Sequence, residues 1–324
     1  MKLFKNIKKW LENQEHLFYL FLLILIVPNI ILCFTEPMPV VAKVCNVLLP
    51  FAFYYLLMTL SRNCGKMFWI LFLFIFFGAF QIVLLYLFGQ SIIAVDMFLN
   101  LVTTNSSEAM ELLDNLVPAL VSVIILYIPA LILAAISIIK KRKLSPEFIR
   151  REREKAWFAL LIGFISLGAA YGLDKRYELK SDLYPANVCY NVALAFQRNA
   201  QTRMYHRTSE NFTFNARPSH SEDRREIYIM VVGETSRALN WSLYDYDRDT
   251  NPELSKIEGV TSFCHVLTES NTTHKSVPML LSPVSAQNFD SIYYRKSIIT
   301  AFKEAGFQTA FFSNQRYNHS FIDF

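Results

Sequence analysis

Five long apolar stretches, at about residues 16–34, 40–60, 67–89, 117–139 and 157–173, constrain this chain more than any other feature. Each matches the roughly 17–25 residues that a helix needs to cross a bilayer. Their length and number exclude buried helices of a soluble core. The first stretch is too long for a cleaved signal peptide, and further stretches follow it at once. Of 324 residues 53% are hydrophobic, and the apolar ones crowd before about residue 175, so two domains are expected.

Lys and Arg in the connections set the orientation. Lys2, Lys5, Lys8 and Lys9 precede the first stretch, Arg62 and Lys66 follow the second, and KKRKLSPEFIRREREK at 140–155 follows the fourth. Residues 90–116 hold no Lys or Arg but hold Asp96, Glu108, Glu111 and Asp114. The alternation predicts a cytoplasmic amino terminus, five crossings, and everything after Leu173 outside. A solvated cytoplasmic anchor explains the basic run more simply than a nucleic-acid patch, and no nucleic-acid partner is expected.

Residues 1–173 therefore read as a five-helix transmembrane domain, 174–225 as a connector and 226–324 as the start of an α/β domain. In the connector, Val188, Val192, Ala193 and Phe196 fall at helical spacing within 183–198. They predict an amphipathic helix, resting either on the membrane surface or on the outer domain. The run IYIMVV at 227–232 is β-branched-rich and ends at Gly233, the pattern of a buried strand in a parallel sheet. Further strands are expected within 260–270 and 308–314, a turn and short helix at 235–246, and helices at 276–281 and 292–305; such alternation argues for α/β. Ligands bind at the carboxyl ends of parallel strands, and there stands Glu234.

ESNTTHKSVPMLLS at 269–282 places two threonines and a histidine before an apolar helical segment. Thr at a helix start ordinarily caps it. A hydroxyl there also sits in the positive field of the helix end, which favours an attacking alkoxide and a phosphoryl group. On chemistry alone Thr272 and Thr273 compete. No CxxC pair occurs among the five cysteines, so a cysteine zinc site is not expected.

VVGETSR, then NWSLYDYDRDTNP, then SNTTHKSVPMLLS, in that order behind five spans, resemble the phosphoethanolamine transferases of Gram-negative envelopes. These belong to the alkaline phosphatase/sulfatase superfamily. The resemblance implies a multi-pass protein of the bacterial inner membrane with a periplasmic α/β domain. It implies Zn2+ as cofactor, with Glu234 a ligand. It makes Thr273, by motif register, both a zinc ligand and the nucleophile that accepts phosphoethanolamine. Phosphatidylethanolamine would be the donor, and lipid A or a lipopolysaccharide core sugar the acceptor. Asn100, Thr104 and Glu108 match a donor-headgroup register at i, i+4 and i+8, which on a helix is nearly one face; a solvated helix is the plain alternative.

Three departures accompany the match. Glu269 and Met279 stand where many relatives have cysteines. A Cys189–Cys264 disulfide is one pairing that an oxidising compartment allows. The Asp-His pair and later histidines that complete the family's zinc site do not occur, and none of His265, His274 and His319 fits that motif. The α/β domain is accordingly expected to be incomplete, its metal site lacking ligands. Two other functions compete: a different membrane phosphotransferase or hydrolase of the sulfatase superfamily, and an inactive lipid-binding membrane fragment. SVPML lacks the arginine of a sulfatase nucleophile motif.

Overall fold

The computed structural model describes residues 10–88, 106–219, 225–233, 236–263, 265–270 and 272–312. The chain divides into two compact units, residues 1–196 and 197–324.

The first unit contains α1 (Gln14–Thr35), α2 (Val40–Met58), α3 (Cys64–Ile70), α4 (Phe72–Phe88), α5 (Ser106–Ile139) and α6 (Pro146–Leu173). Among the described residues, four helices are long and apolar enough to cross a membrane. They become five when α3 and α4, bent by 62° at their junction, count as one span. The stretch expected as one continuous helix at 67–89 thus breaks at Leu71, which leaves helical geometry (φ −82°, ψ 12°). Helix starts follow their capping chemistry. Asn13, Asn63 and Ser145 each accept a first-turn N–H at 2.9, 2.8 and 3.1 Å, and Pro146 supplies a fixed φ in the first turn of α6.

Phe18, Phe21, Met58, Phe68 and Ala134 bury completely between the helices, whereas Ile125 and Phe158 stay 68% and 66% exposed. An apolar core inside an apolar outer face is what lipid demands of a bundle. Close crossings use glycine. A Cβ on Gly163 would meet Leu49 at 3.1 Å, and one on Gly65 would collide with the Ala134 backbone of α5.

Each end of the bundle is tied by side chains. At the basic end, Asn63 donates to the Ser137 and Arg142 carbonyls at 3.2 and 2.9 Å, and Arg62 to Leu144 at 2.9 Å. The buried Glu152 carboxylate accepts from Tyr55 at 2.5 Å and pairs with Arg151 and Lys155 at 2.9 and 3.0 Å. At the opposite end, the buried Asn29 donates to the carbonyls of Asn46 and Tyr184 at 2.8 and 2.7 Å. Asn46 in turn donates to the Asp182 carbonyl at 2.6 Å and accepts from the Tyr177 hydroxyl at 3.0 Å. The expected connector therefore begins as a folded cap on the bundle.

Helix α7 (Ala186–Arg203) continues from that cap, and the division between the two units falls within it. It runs longer than the expected 183–198. Val188 is fully buried and Val192 partly so, against Leu32 of α1 and Leu84 and Leu85 of α4. The amino-terminal half of the apolar face thus packs on the helix bundle, while Ala193 and Phe196 of the same face stay exposed. Cys189 is an exposed free thiol, and Cys264 lies outside the described residues.

In the second unit, α8 (Tyr205–Thr208) is tied to a 3-10 segment at Ala286–Tyr294. The Tyr205 hydroxyl donates to the Arg295 carbonyl at 2.8 Å, and Thr208 donates to the Tyr293 carbonyl. The Glu304 carboxylate accepts the Phe214 and Ala216 amides at 3.0 and 3.1 Å. A small core joins Val284, Ile292 and Tyr293 with Met279 and Phe289. The expected helix at 292–305 resolves into that 3-10 segment and the short Ile298–Glu304 helix. The described residues form no β-strand. Residues 227–232 are irregular and open, Ile229 and Val231 being 82% and 86% exposed, against the buried strand expected there. A strand exists by its ladder to a neighbour, and no described residues form one with this run.

Candidate active site

Thr273 opens a helix, α9 (Thr273–Leu280), as the sequence pattern requires, and it is half-buried. Thr272 occupies the cap position with extended geometry (φ −123°, ψ 133°), but its side chain makes no capping bond. Its hydroxyl lies 3.2 Å from that of Ser270, and its amide donates to the same Ser270 oxygen at 3.3 Å. The two threonines that compete on chemistry are thus separated by place: one hydroxyl engaged with Ser270 in the loop, the other on the first residue of the helix.

The loop is held without cysteines. The Glu269 carboxylate accepts the Ala286 amide, and Met279 packs into the Val284–Ile292–Tyr293 core. The two residues standing where many relatives have cysteines therefore both bind their own neighbours. Lys275 lies 5.9 Å from the Phe289 ring centre, and the Ser282 hydroxyl donates at 2.6 Å to the Pro278 carbonyl. That carbonyl is near the helix end, where backbone acceptors lack intrahelical donors.

Glu234 lies outside the described residues, as do Asn100 and Thr104; Glu108 is on the first turn of α5. The shared face expected for Asn100, Thr104 and Glu108 therefore falls outside the description. Zinc takes oxygen, nitrogen and sulfur ligands, four in a closed site. Among the described residues no three His, Cys, Asp or Glu side chains gather, so these residues alone do not make a zinc site. Thr273 offers one oxygen, and His265 is exposed.

The turn and short helix expected at 235–246 take the form of 3-10 turns, in a stretch to which the sequence assigned no role. From the last two residues of the GETSR motif onward, residues 236–251 fold around two 3-10 turns at Ala238–Asn240 and Ser242–Tyr244. Trp241 donates to Ser236 at 2.7 Å, Thr250 donates to the Asn240 carbonyl at 2.7 Å, and Ser242 accepts the Asn251 amide at 3.1 Å. Asp245 takes a left-handed conformation (φ 64°) that closes the second turn. Together Ser236, Arg237, Asn240, Trp241, Thr250 and Asn251 line an open surface depression of about 400 Å3. NWSLYDYDRDTNP carried family resemblance but no assigned role; its density of Asn, Thr and aromatic residues was the available signal.

Residues 226–324 match the sulfatase family model. Curated relatives include phosphatidylethanolamine transferase Mcr-1 of Escherichia coli, 37% identical over 25% of this chain and 15% of the relative. Phosphoethanolamine transferase EptA of Salmonella typhimurium is 35% identical over 26% of this chain and 16% of its own length. Phosphoethanolamine transferase EptC of Escherichia coli is 27% identical over 71% of this chain and 41% of its own. The chain thus spans less than half the length of each of these relatives. No solved structure matches significantly. The chain carries a sulfatase-family domain at residues 226–324, behind helices apolar enough to cross a membrane, and its relatives are phosphoethanolamine transferases.

Proposed function

We propose that this chain serves phosphoethanolamine transfer from phosphatidylethanolamine to lipid A or a lipopolysaccharide core sugar, in the bacterial inner membrane with residues beyond 173 in the periplasm. The observation that carries it is Thr273 at the start of an eight-residue helix within a stretch matched to the sulfatase family. Amides at a helix N-terminus favour negative charge. That setting suits a phosphoryl group under attack by the residue's own hydroxyl.

The Thr273 oxygen forms a bond to phosphorus, the bond to the diacylglycerol oxygen breaks, and diacylglycerol leaves with the threonine proton. An acceptor oxygen then attacks phosphorus, the threonine–phosphorus bond breaks, and the proton from the acceptor returns to Thr273. Glu234 and Thr273 are the residues that would hold zinc, which when bound lowers the pKa of the attacking oxygen and neutralises phosphoryl charge. Asn100, Thr104 and Glu108 would orient the donor headgroup, with Glu108 facing its ammonium.

Mass spectrometry of the chain in membranes containing phosphatidylethanolamine tests this reading. A phosphoethanolamine adduct is expected on Thr273, absent in Thr273→Ala, with turnover down ~10^3-fold or more, the scale of losing a nucleophile. Thr272→Ala should keep the adduct. An adduct mapped to Thr272, or to neither residue, sinks the assignment.

A further inference from the structure

The basic end of the helix bundle carries more charge than its own side chains neutralise. Within residues 10–15, 59–66 and 137–157, ten Lys and Arg meet five Glu. Glu12 is matched to Arg142, Glu154 to Arg150, and Glu152 to both Arg151 and Lys155. Lys66, Lys140, Lys141 and Lys143 are exposed and make no ion pair with a described residue. Residues 1–9, outside the description, hold four more lysines and no Asp or Glu, so they add to the excess. Lys66 stands in the first turn of α3 and the other three lysines in the α5–α6 connection. These two segments are laced together. The Leu144 amide donates to the Arg62 carbonyl at 2.7 Å, and Asn63 donates to the Ser137 and Arg142 carbonyls at 3.2 and 2.9 Å. The cations are therefore grouped before any partner arrives, and less ordering is needed on binding.

A second observation sets the level at which they lie. Trp10, Trp69 and Trp157, three of the four Trp in the chain, are 44%, 40% and 58% exposed at this same end. Trp69 and Trp157 stand where the apolar stretches 67–89 and 157–173 begin, and Trp10 is two residues from the Glu12 that Arg142 holds. Lys66 and Trp69, three apart on α3, are neighbours on one helix face. Exposed indoles at span ends mark the headgroup layer of a bilayer.

We infer that this rim binds anionic phospholipid, its lysine ammonium groups meeting phosphodiester headgroups that carry no cation of their own. The inference is independent of the transfer reading. A lysine is a compact charge with three donors on a flexible stem, so it follows phosphate oxygens in a fluid leaflet without one fixed pose. A zwitterionic headgroup brings an ammonium that the same lysines repel. Orienting a chain during insertion needs cations anywhere in a loop. It does not require two loops braced together beside exposed indoles. A soluble acidic partner, in turn, has no use for indoles at the bilayer edge.

The test uses the full chain in a Trp241→Phe background, which leaves indoles only at the rim. It is reconstituted in phosphatidylcholine bilayers containing phosphatidylglycerol or phosphatidylethanolamine with brominated acyl chains, which quench the tryptophans they touch. Phosphatidylglycerol should associate at least tenfold more strongly than phosphatidylethanolamine at low salt, on a scale of about fivefold per basic residue at an anionic surface. The preference should shrink at about 1 M salt, where the screening length is about 3 Å. Combining Lys66→Gln, Lys140→Gln, Lys141→Gln and Lys143→Gln should reduce it to about twofold or less. All four positions are exposed and the Glu152 network is untouched, so the unfolding midpoint in detergent should stay the same; the salt comparison on the unsubstituted lysines stands apart from that variant. Equal quenching by the two lipids, a preference unmoved by salt, or one that survives in the folded variant overturns the proposal. Displacement of phosphatidylglycerol by excess glycerol 3-phosphate also overturns it, because the ligand would then be a soluble phosphate.

Discussion

Burial pushes the Tyr293 phenol up to about 12, with Asp290 adding to the rise and Arg198 opposing it. Its unfolded value is about 10. Between those values the folded chain holds a proton that the unfolded chain has released, so stability falls as pH rises. The contribution is fully present below about pH 10 and lost through about pH 12. Protease resistance of residues 205–304 in the full chain should therefore decline across that window, and Tyr293→Phe should flatten the decline. An unchanged decline in Tyr293→Phe would place its cause elsewhere. Site residues were legible to the extent that chemistry is local. The hydroxyl-rich start of α9 could be read from ESNTTHKSVP, because Thr before an apolar helical run is a helix start in any fold. The surface depression was not legible, because Arg237 and Thr250 come together through two 3-10 turns and a left-handed Asp245. No periodicity announces such a path.

Elements of the first unit were the readable ones, since length and apolarity determine a span almost without regard to neighbours. What sequence missed there is packing geometry. GKMFWILFLF contains no proline at the bend between α3 and α4, so nothing local marks Leu71 as the break. The polar residues of 174–185 read as a linker because Asn29 and Asn46, the buried amides that hold them, sit alone in apolar helices. In the second unit, 227–232 illustrates the opposite limit: an apolar run states a preference for strand, and a partner must supply the ladder. Gly65 tests the packing account at this scale. Its missing side chain lets α3 meet the Ala134 backbone of α5, and small residues at such crossings are the general device of membrane bundles. Gly65→Ala should cost about 1–3 kcal/mol, the range for overpacking a filled core, measured by denaturant unfolding in detergent. Gly168, with nothing within 4 Å of an added Cβ, is the control. Gly168→Ala should be neutral or mildly stabilising, since alanine favours helix. Equal costs at both glycines would remove the packing explanation.

At the scale of the molecule, helices that cross put the two ends of the bundle on opposite sides of any membrane it spans. The structure distinguishes those ends chemically. One gathers Arg62, Arg142, Arg151 and Lys155, with loop carbonyls at Ser137, Leu144 and Thr59 taken up by Asn63, Arg62 and Arg153. The other is closed by the 177–188 cap, where Asn29, Asn46 and Tyr177 satisfy backbone and amide groups in an apolar surround. Lys and Arg near span ends stay on the cytoplasmic side, so the first end should face the cytoplasm and the cap the periplasm. Alkaline phosphatase fused after Ser145, at the start of α6, should then be silent. The same reporter fused after Arg217, beyond the last span, should be active because it folds only outside. The bent α3–α4 pair gives the experiment its edge. If that pair enters and leaves by the same face instead of crossing, the crossings on either side of it no longer alternate as a five-span chain requires. A fusion in the 89–105 connection, outside in the five-span arrangement, would then fall silent. Active reporters at 89–105 and after Arg217 with a silent one after Ser145 establish five crossings; activity after Ser145 with silence at the other two overturns the five-span arrangement, whether by inversion of the bundle or by return of the bent pair to its own face.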